Sequence, residues 1–247
     1  MNLRAAVLGR FGLLCLICGL AVMNQTALAE APATQPVYTT TRPSYDGIGK
    51  VYMGREIAKV MSHGGADWLE RSDREAEEAP SKAIAMMDLK PGDVVADIGA
   101  GTGYFSFRIA RKVPQGKVLA EDIDDEMIKD LRATIHKTGT PNVEPILGTI
   151  EDPKLPANGV DVVVFVDAYH EFDHPREMME AIVKSLKPGG RVIDLEYRAE
   201  DPRVLIKPHH KMSEAQAVKE MSAVGLVHLK TLEDLPQQHF MIFQKPK

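Results

Sequence analysis

A doubly wound α/β fold with a mostly parallel sheet is predicted by three features of the chain. Strand and helix patterns alternate from about residue 90 to the C-terminus. The stretches "DVVADI", "GKVLAEDI" and "VDVVVFVD" are near-continuous apolar runs, as expected of parallel strands covered on both faces. The first run leads into "GAGTG", a glycine-rich turn that opens a helix. Open α/β sheets bind ligands at that place, beyond the carboxyl ends of the strands.

The elements follow in order. Residues 1–29 read as a secretory leader: Arg4 and Arg10 are its only charges, Phe11 to Met23 is uncharged and mostly apolar, and "ALA" at 27–29 offers a small-x-small cleavage site. The apolar run is short for a membrane span, which needs about 20 residues. Export to a periplasmic or extracellular space with no stable membrane insertion after cleavage is expected, and an uncut leader acting as an anchor is the alternative. Residues 30–50 are rich in Pro, Thr and Gly and read as an extended tether. Residues 51–89 read as a helical N-terminal cap, through "GREIAKVMS", "ADWLERSDREAEEA" and "PSKAIAMMDL". Residues 90–247 form the main domain. Within it, Asp124 is the expected N-cap of "DEMIKDLRATIHKTG", Pro175 opens "PREMMEAIVKSL", and Ser213 caps "SEAQAVKEMSAVG". "LVHLKTLEDL" and "QHFMIFQK" predict an antiparallel C-terminal edge hairpin.

Composition excludes several classes. Both cysteines, Cys15 and Cys18, lie in the leader, so a mature chain has no disulfide. Without Arg4 and Arg10, the 30 basic residues fall to 28 against 35 acidic ones, a formal charge of −7. Nucleic-acid binding rests on phosphate neutralisation by Lys and Arg, so no nucleic-acid partner is expected.

The glycine loop narrows the ligand. A triphosphate-binding loop needs Gly-Lys-Ser/Thr, and this loop has no Lys. A dinucleotide fingerprint, G-x-G-x-x-G, counted from Gly99 would place its third glycine where Tyr104 stands. What remains is D-x-G-x-G-x-G over Asp97, Gly99, Gly101 and Gly103, with Asp122 closing the second strand. This arrangement, together with "LKPGGRVI" at 186–193, resembles class I S-adenosylmethionine-dependent methyltransferases over roughly residues 90–247. The resemblance implies a Rossmann-like fold and S-adenosylmethionine as cofactor. It implies that Asp97 engages the loop and the methionine side, that the three glycines allow close approach, and that Asp122 accepts the ribose hydroxyls. Glu121 is the neighbouring candidate, but alternation along a strand favours Asp122. The implied cofactor-binding set is Asp97, Gly99, Ala100, Gly101, Gly103, Tyr104, Asp122, Ile123, Thr149, Ile150 and Asp167. The family often carries an acid at the third strand's end for the adenine amino group; here Thr149 stands there, with Ile150, Glu151 and Asp152 beside it.

The stretch "VDAYHEFDHP" at 166–175 ends the fourth strand and would face the transferred methyl group. His170 is the candidate base, with Asp167, Tyr169 and Glu171 orienting a small-molecule substrate. The same letters contain H-E-x-x-H, His170, Glu171 and His174, a zinc-hydrolase motif that requires one helix. Pro175 follows His174 and pushes it out of helical conformation, so no metal is expected there. "HGG" at 63–65 lacks a following G-x-S-x-G and carries no esterase reading. His209 and His210 read as ligands, substrate contacts or solvated linker residues, Gln238 and His239 as possible pocket residues, and the segment around Trp68, Glu70 and Arg71 as a lid. The expected activity is methyl transfer by direct displacement to an unidentified acceptor. An exported binding module without catalysis is the alternative.

Overall fold

In the computed structural model, which describes residues 36–247, the chain enters as strand rather than as tether and helical cap. β1 (Tyr38–Thr40), β2 (Gly47–Tyr52) and β3 (Arg55–Ala58) form a three-stranded antiparallel sheet. This corrects the described part, 36–50, of the tether expected over 30–50 and the helix expected through "GREIAKVMS"; residues 30–35 lie outside the described residues. The reason is the turn: Met53 and Gly54 both have positive φ, 49° and 101°, and join Tyr52 to Arg55 in a two-residue hairpin. Ile57 and Ala58 are fully buried, and tertiary burial overrides the local helical pattern. Helix begins only at α1 (Ala66–Leu69), α2 (Arg74–Glu78) and α3 (Pro80–Met86). The predicted leader lies outside the described residues.

The main sheet has seven strands: β4 (Val94–Ile98), β5 (Lys117–Asp122), β6 (Val143–Leu147), β7 (Val160–Val166), β8 (Leu186–Tyr197), β9 (Val227–Leu232) and β10 (Gln238–Gln244). Their order is β6-β5-β4-β7-β8-β10-β9. β4 through β8 are parallel, and β10 pairs antiparallel with β8 and β9. The doubly wound sheet with an antiparallel edge is therefore as predicted. The direction of winding reverses between β4 and β7, which opens a crevice beyond their carboxyl ends.

The crossing helices are α4 (Ser106–Ala110), α5 (Asp125–Thr138), α6 (Pro175–Ser185) and α7 (Glu214–Ala223). Two apolar cores sandwich the sheet: Ile84, Ile109 and Leu131 pack on one face, Met179, Ile182 and Met221 on the other. The expected caps form. Asp124 accepts from the Glu126 amide and Ser213 from the Gln216 amide. Among the described residues no helix is long and apolar enough to cross a membrane.

Arg55 fastens the N-terminal sheet to this body. Its guanidinium donates to both Glu220 oxygens of α7 at 2.9 Å and to the His170 carbonyl at 3.0 Å. Tyr38 adds a hydrogen bond to Glu177 of α6.

Candidate active site

The crevice at the switch point is a cleft of about 730 Å³. Gly99 and Gly101 lie on its floor with φ of 69° and 56°, a region costly to any residue with a side chain. A Cβ on Gly99 would meet Ala168 at 2.9 Å, and one on Gly101 would meet Leu69 at 2.5 Å. The loop thus lies directly against the end of β7 and under a leucine of α1. Asp122 holds the loop from β5: its Oδ2 accepts from the Gly101 amide at 2.8 Å and its Oδ1 from the Asp124 amide at 2.9 Å. A carboxylate has about four acceptor sites, so two remain for a ligand in the cleft.

The other predicted cofactor residues divide. Ile123, Ile150 and Asp167 line the cleft with the two glycines and Asp122. Asp97, Ala100, Gly103, Tyr104 and Thr149 do not. Asp97 is buried and accepts from Ser106 Oγ at 2.6 Å, so it braces the loop against α4; burial pushes its carboxyl up to about 6. Ala100 donates its amide to the Glu121 carbonyl, and Gly103 packs under Leu131 and Phe107. Tyr104 lies under the Arg74 and Arg108 guanidinium groups, and Thr149 closes a turn onto Asp152.

Glu121, set behind Asp122 by alternation, is also at the cleft. It lines the cleft beside Asp122 and is 1% exposed, with Oε1 unpartnered. Burial, reinforced by the Asp122 charge, pushes it up to about 8. Sequence reasoning missed Val60, Met61, Leu69 and Met127, which supply apolar walls. The first three come from the N-terminal segment, whose place no local signal reveals.

The cleft is acidic. Glu121, Asp122, Asp167, Glu171 and Asp173 line it, with no Lys or Arg. Such a lining offers nothing to neutralise a phosphate, and a cationic ligand would favour the ionised form of its buried carboxyl groups. The orphaned Glu121 Oε1 and Asp167 Oδ1, the side-chain-free floor at Gly99 and Gly101 and the spare acceptor capacity of Asp122 all suit a cofactor carrying a sulfonium and an ammonium group.

The catalytic candidates also divide. Tyr169 is not at the cleft: it is fully buried, stacks near Phe165, and donates its hydroxyl to Glu220 at 2.8 Å. Its role is packing, and burial raises its pKa well above the ordinary value. A short 3-10 turn spans Tyr169–Glu171, and α6 starts only at Pro175, so H-E-x-x-H is not helical. His174 bonds instead to Lys50, at 2.9 Å. His170 is buried, with Nδ1 2.6 Å from Glu196 Oε2. Burial pushes His170 down to about 3 and Glu196 up to about 8. His170 is therefore poorly suited to collect a proton.

A second chamber, about 1240 Å³, opens beside the cleft. Asp167, Val166, Leu69, Val60, Met61 and Glu171 border both spaces. The chamber adds Trp68, Tyr197, Leu205, Lys59, Lys207 and His210. Asp167 sits at the junction with φ of 52°, a strained position for a non-glycine residue. Its Oδ2 accepts from Gln238 Nε2 at 2.9 Å, and its Oδ1 is buried without a partner. Burial, then the Glu78 and Glu196 charges, raise its pKa well above the usual carboxylate range. Of the other sequence candidates, His239 lies between Glu200 and Glu233 away from the chamber, Glu70 accepts from Thr102 in the loop, and Arg71 pairs with Glu77 and Glu78.

The sheet order, the loop with its strand-end carboxylate and the acidic cleft together make a Rossmann-like fold with a candidate cofactor cleft at its switch point, resembling that of S-adenosylmethionine-dependent methyltransferases. Comparison with known proteins agrees. Residues 95–190 match the family described as "Methyltransferase domain". The ubiquinone/menaquinone biosynthesis C-methyltransferase UbiE of Ectopseudomonas mendocina is 31% identical over 132 residues, 53% of this chain and 52% of that protein. Its counterpart from Salmonella arizonae is 28% identical over 141 residues, covering 56% and 55%. The chain thus spans about half the length of the curated relatives it matches. In three dimensions it resembles a SAM dependent methyltransferase from Aquifex aeolicus, with TM-score 0.71 and 22% identity, covering 75% of this chain and 99% of that one.

Proposed function

We propose that the chain transfers the methyl group of S-adenosylmethionine to a small molecule held in the chamber beside the cleft. The observation that carries this reading is the position of Asp167, the one carboxyl group at the junction that is both buried and half unpartnered.

The cofactor supplies a methyl carbon already activated by positive sulfur. The protein's task is then to hold, orient and deprotonate. Asp122 and the Gly99–Gly101 floor hold the ligand in the cleft. Leu69, Val60 and Met61 exclude water from the passage between the two spaces. Asp167 Oδ1 takes the proton that the acceptor atom loses as its lone pair bonds to carbon and the carbon–sulfur pair returns to sulfur. A carboxyl with raised pKa is a stronger proton acceptor than an ordinary carboxylate when ionised, and Gln238 steadies the ionised form. His170, named first from the sequence, lines the chamber but is buried against Glu196.

The acceptor reading follows the walls. Trp68, Leu205 and Ile206 offer apolar surface, and Lys59 and Lys207 lie at the rim. A small amphipathic molecule with oxygen substituents fits this mixture. The names of the UbiE relatives speak of carbon methylation in quinone biosynthesis, which falls within that class. The experiment is incubation of the purified chain with methyl-labelled cofactor and a panel of such acceptors. Label must enter an acceptor and S-adenosylhomocysteine must accumulate. Cofactor binding with no transfer to any acceptor would favour the non-catalytic binding module.

The leader at residues 1–29 supports a place outside the cytoplasm. Intact-mass measurement on the cell-envelope fraction tests it: a chain beginning at Glu30 is expected, and an uncut chain in the membrane fraction would instead establish an anchor.

A further inference from the structure

His174 is turned away from His170, but a different histidine reaches the same place. His170 Nε2 lies 3.2 Å from His210 Nδ1. Glu171 Oε1 lies 3.1 Å from that same His210 atom and 3.8 Å from His170 Nε2. We propose that His170, Glu171 and His210 form a binding site for a divalent transition-metal ion in the wall of the acceptor chamber.

The spacing fits. Donors held about 2.1 Å from a tetrahedral metal are about 3.4 Å apart, and the three separations bracket that value. Two imidazole nitrogens and one carboxylate oxygen make a donor set used by catalytic zinc and by non-haem iron, and both leave positions open. These three are the group among the described residues whose histidine and carboxylate donors converge in this way.

Hydrogen bonding alone satisfies the cluster poorly. With the proton of His170 on Nδ1, toward Glu196, Nε2 presents a lone pair to His210 Nδ1. A carboxylate oxygen faces the same His210 atom. One hydrogen on that nitrogen cannot serve both acceptors, whereas a cation at the centre serves all three.

The supporting contacts are those of a metal centre. Glu196 uses both oxygens on His170, one on Nδ1 at 2.6 Å and one on the backbone amide at 3.1 Å, which fixes ring and tautomer. Glu171 Oε2 accepts from the Met61 amide at 3.0 Å, which leaves Oε1 for the ion. The ligands come from two places far apart in sequence, the 169–171 turn and the 208–210 turn. All three line the chamber. The open positions of the metal face the space assigned to the acceptor, so an acceptor oxygen is the natural further ligand. That last step rests on the methyltransferase reading; the metal site does not.

The test uses the chain purified without a polyhistidine tag and stripped with a chelator. It is titrated with zinc by calorimetry and with cobalt(II) by visible absorption, which reports tetrahedral nitrogen and oxygen ligation directly. Saturation at about one equivalent per chain is expected. His210→Ala and Glu171→Gln each lower zinc affinity at least about tenfold, as does Glu196→Gln through the His170 ring, while His174→Ala leaves it unchanged. Circular dichroism of each variant confirms the fold. No uptake of zinc or cobalt by the stripped chain overturns the site, and so does uptake that survives both His210→Ala and Glu171→Gln. S-adenosylhomocysteine binding is measured on the same stripped protein. Its failure with metal binding intact counts against the methyltransferase reading and leaves the metal site standing.

Discussion

Gln238 of β10 donates its side-chain amide to Asp167 at the end of β7, at 2.9 Å, across the width of β8. This bond sets how Asp167 meets the junction between cleft and chamber. Asp167→Asn keeps the shape and removes the base. Turnover is expected to fall ~10²–10⁴-fold with little change in S-adenosylhomocysteine affinity. Gln238→Ala frees the carboxyl without removing it and should cost turnover about tenfold. Steady-state kinetics beside calorimetry separate these effects; a Asp167→Asn variant with full turnover would remove Asp167 from the mechanism.

The loop predictions rest on two contacts. Gly101→Val places a branched side chain at φ 56° and 2.5 Å from Leu69. It should weaken S-adenosylhomocysteine binding ~10–100-fold, equivalent to ~1–3 kcal/mol. Asp122→Ala removes the anchor of the Gly101 amide together with the ligand's acceptor, and a loss of about 100-fold is expected. Calorimetry with the two variants checks both.

Glu121 makes stability pH-dependent in a definite direction. Its folded pKa, about 8, lies above the ordinary 4.5, so the folded chain holds a proton that the unfolded chain releases between those values. The stability of the ligand-free protein should therefore fall as pH rises from about 4.5 to 8 and level off above. Glu121→Gln removes that slope and stabilises the protein by ~1–3 kcal/mol at pH 8. Urea denaturation at several pH values reads the effect; equal slopes for both proteins would show that Glu121 ionises normally.

A buried ion pair braces α2. Arg74 Nε meets Glu78 Oε2 at 2.8 Å, both residues being under 5% exposed, and Tyr197 donates to Glu78 Oε1 at 2.5 Å. Burial opposes ionisation of Glu78, but the Arg74 charge and the Tyr197 hydroxyl hold it below its ordinary value. Arg74→Met leaves Glu78 with Arg71 as its one remaining cation and should cost about 1–3 kcal/mol of unfolding free energy. The double variant Arg74→Met, Glu78→Leu should recover part of the loss, because the buried carboxylate is then gone and Arg71 keeps Glu77. Denaturant titration of the pair of variants decides it.

What was legible before folding was local. The alternation of apolar strands with capped helices, the glycines at 99 and 101 and the carboxylate at 122 are short-range patterns, each imposed by backbone geometry or by hydrogen bonding within a few residues. They determined the α/β class, the parallel sheet, its antiparallel edge, and the place of the cleft at the switch point. What only the tertiary structure decided is long-range. The segment 38–58 is strand because burial outweighs its helical pattern, and no local rule measures burial. Tyr169 turns into the core and His170 faces Glu196, because side-chain direction beyond a strand end depends on the neighbours that close over it. His210 reaches His170 and Glu171 across 40 residues, and Gln238 reaches Asp167 across 71. Such meetings are fixed by the path of the chain through the sheet, and spacing along the sequence carries no trace of them.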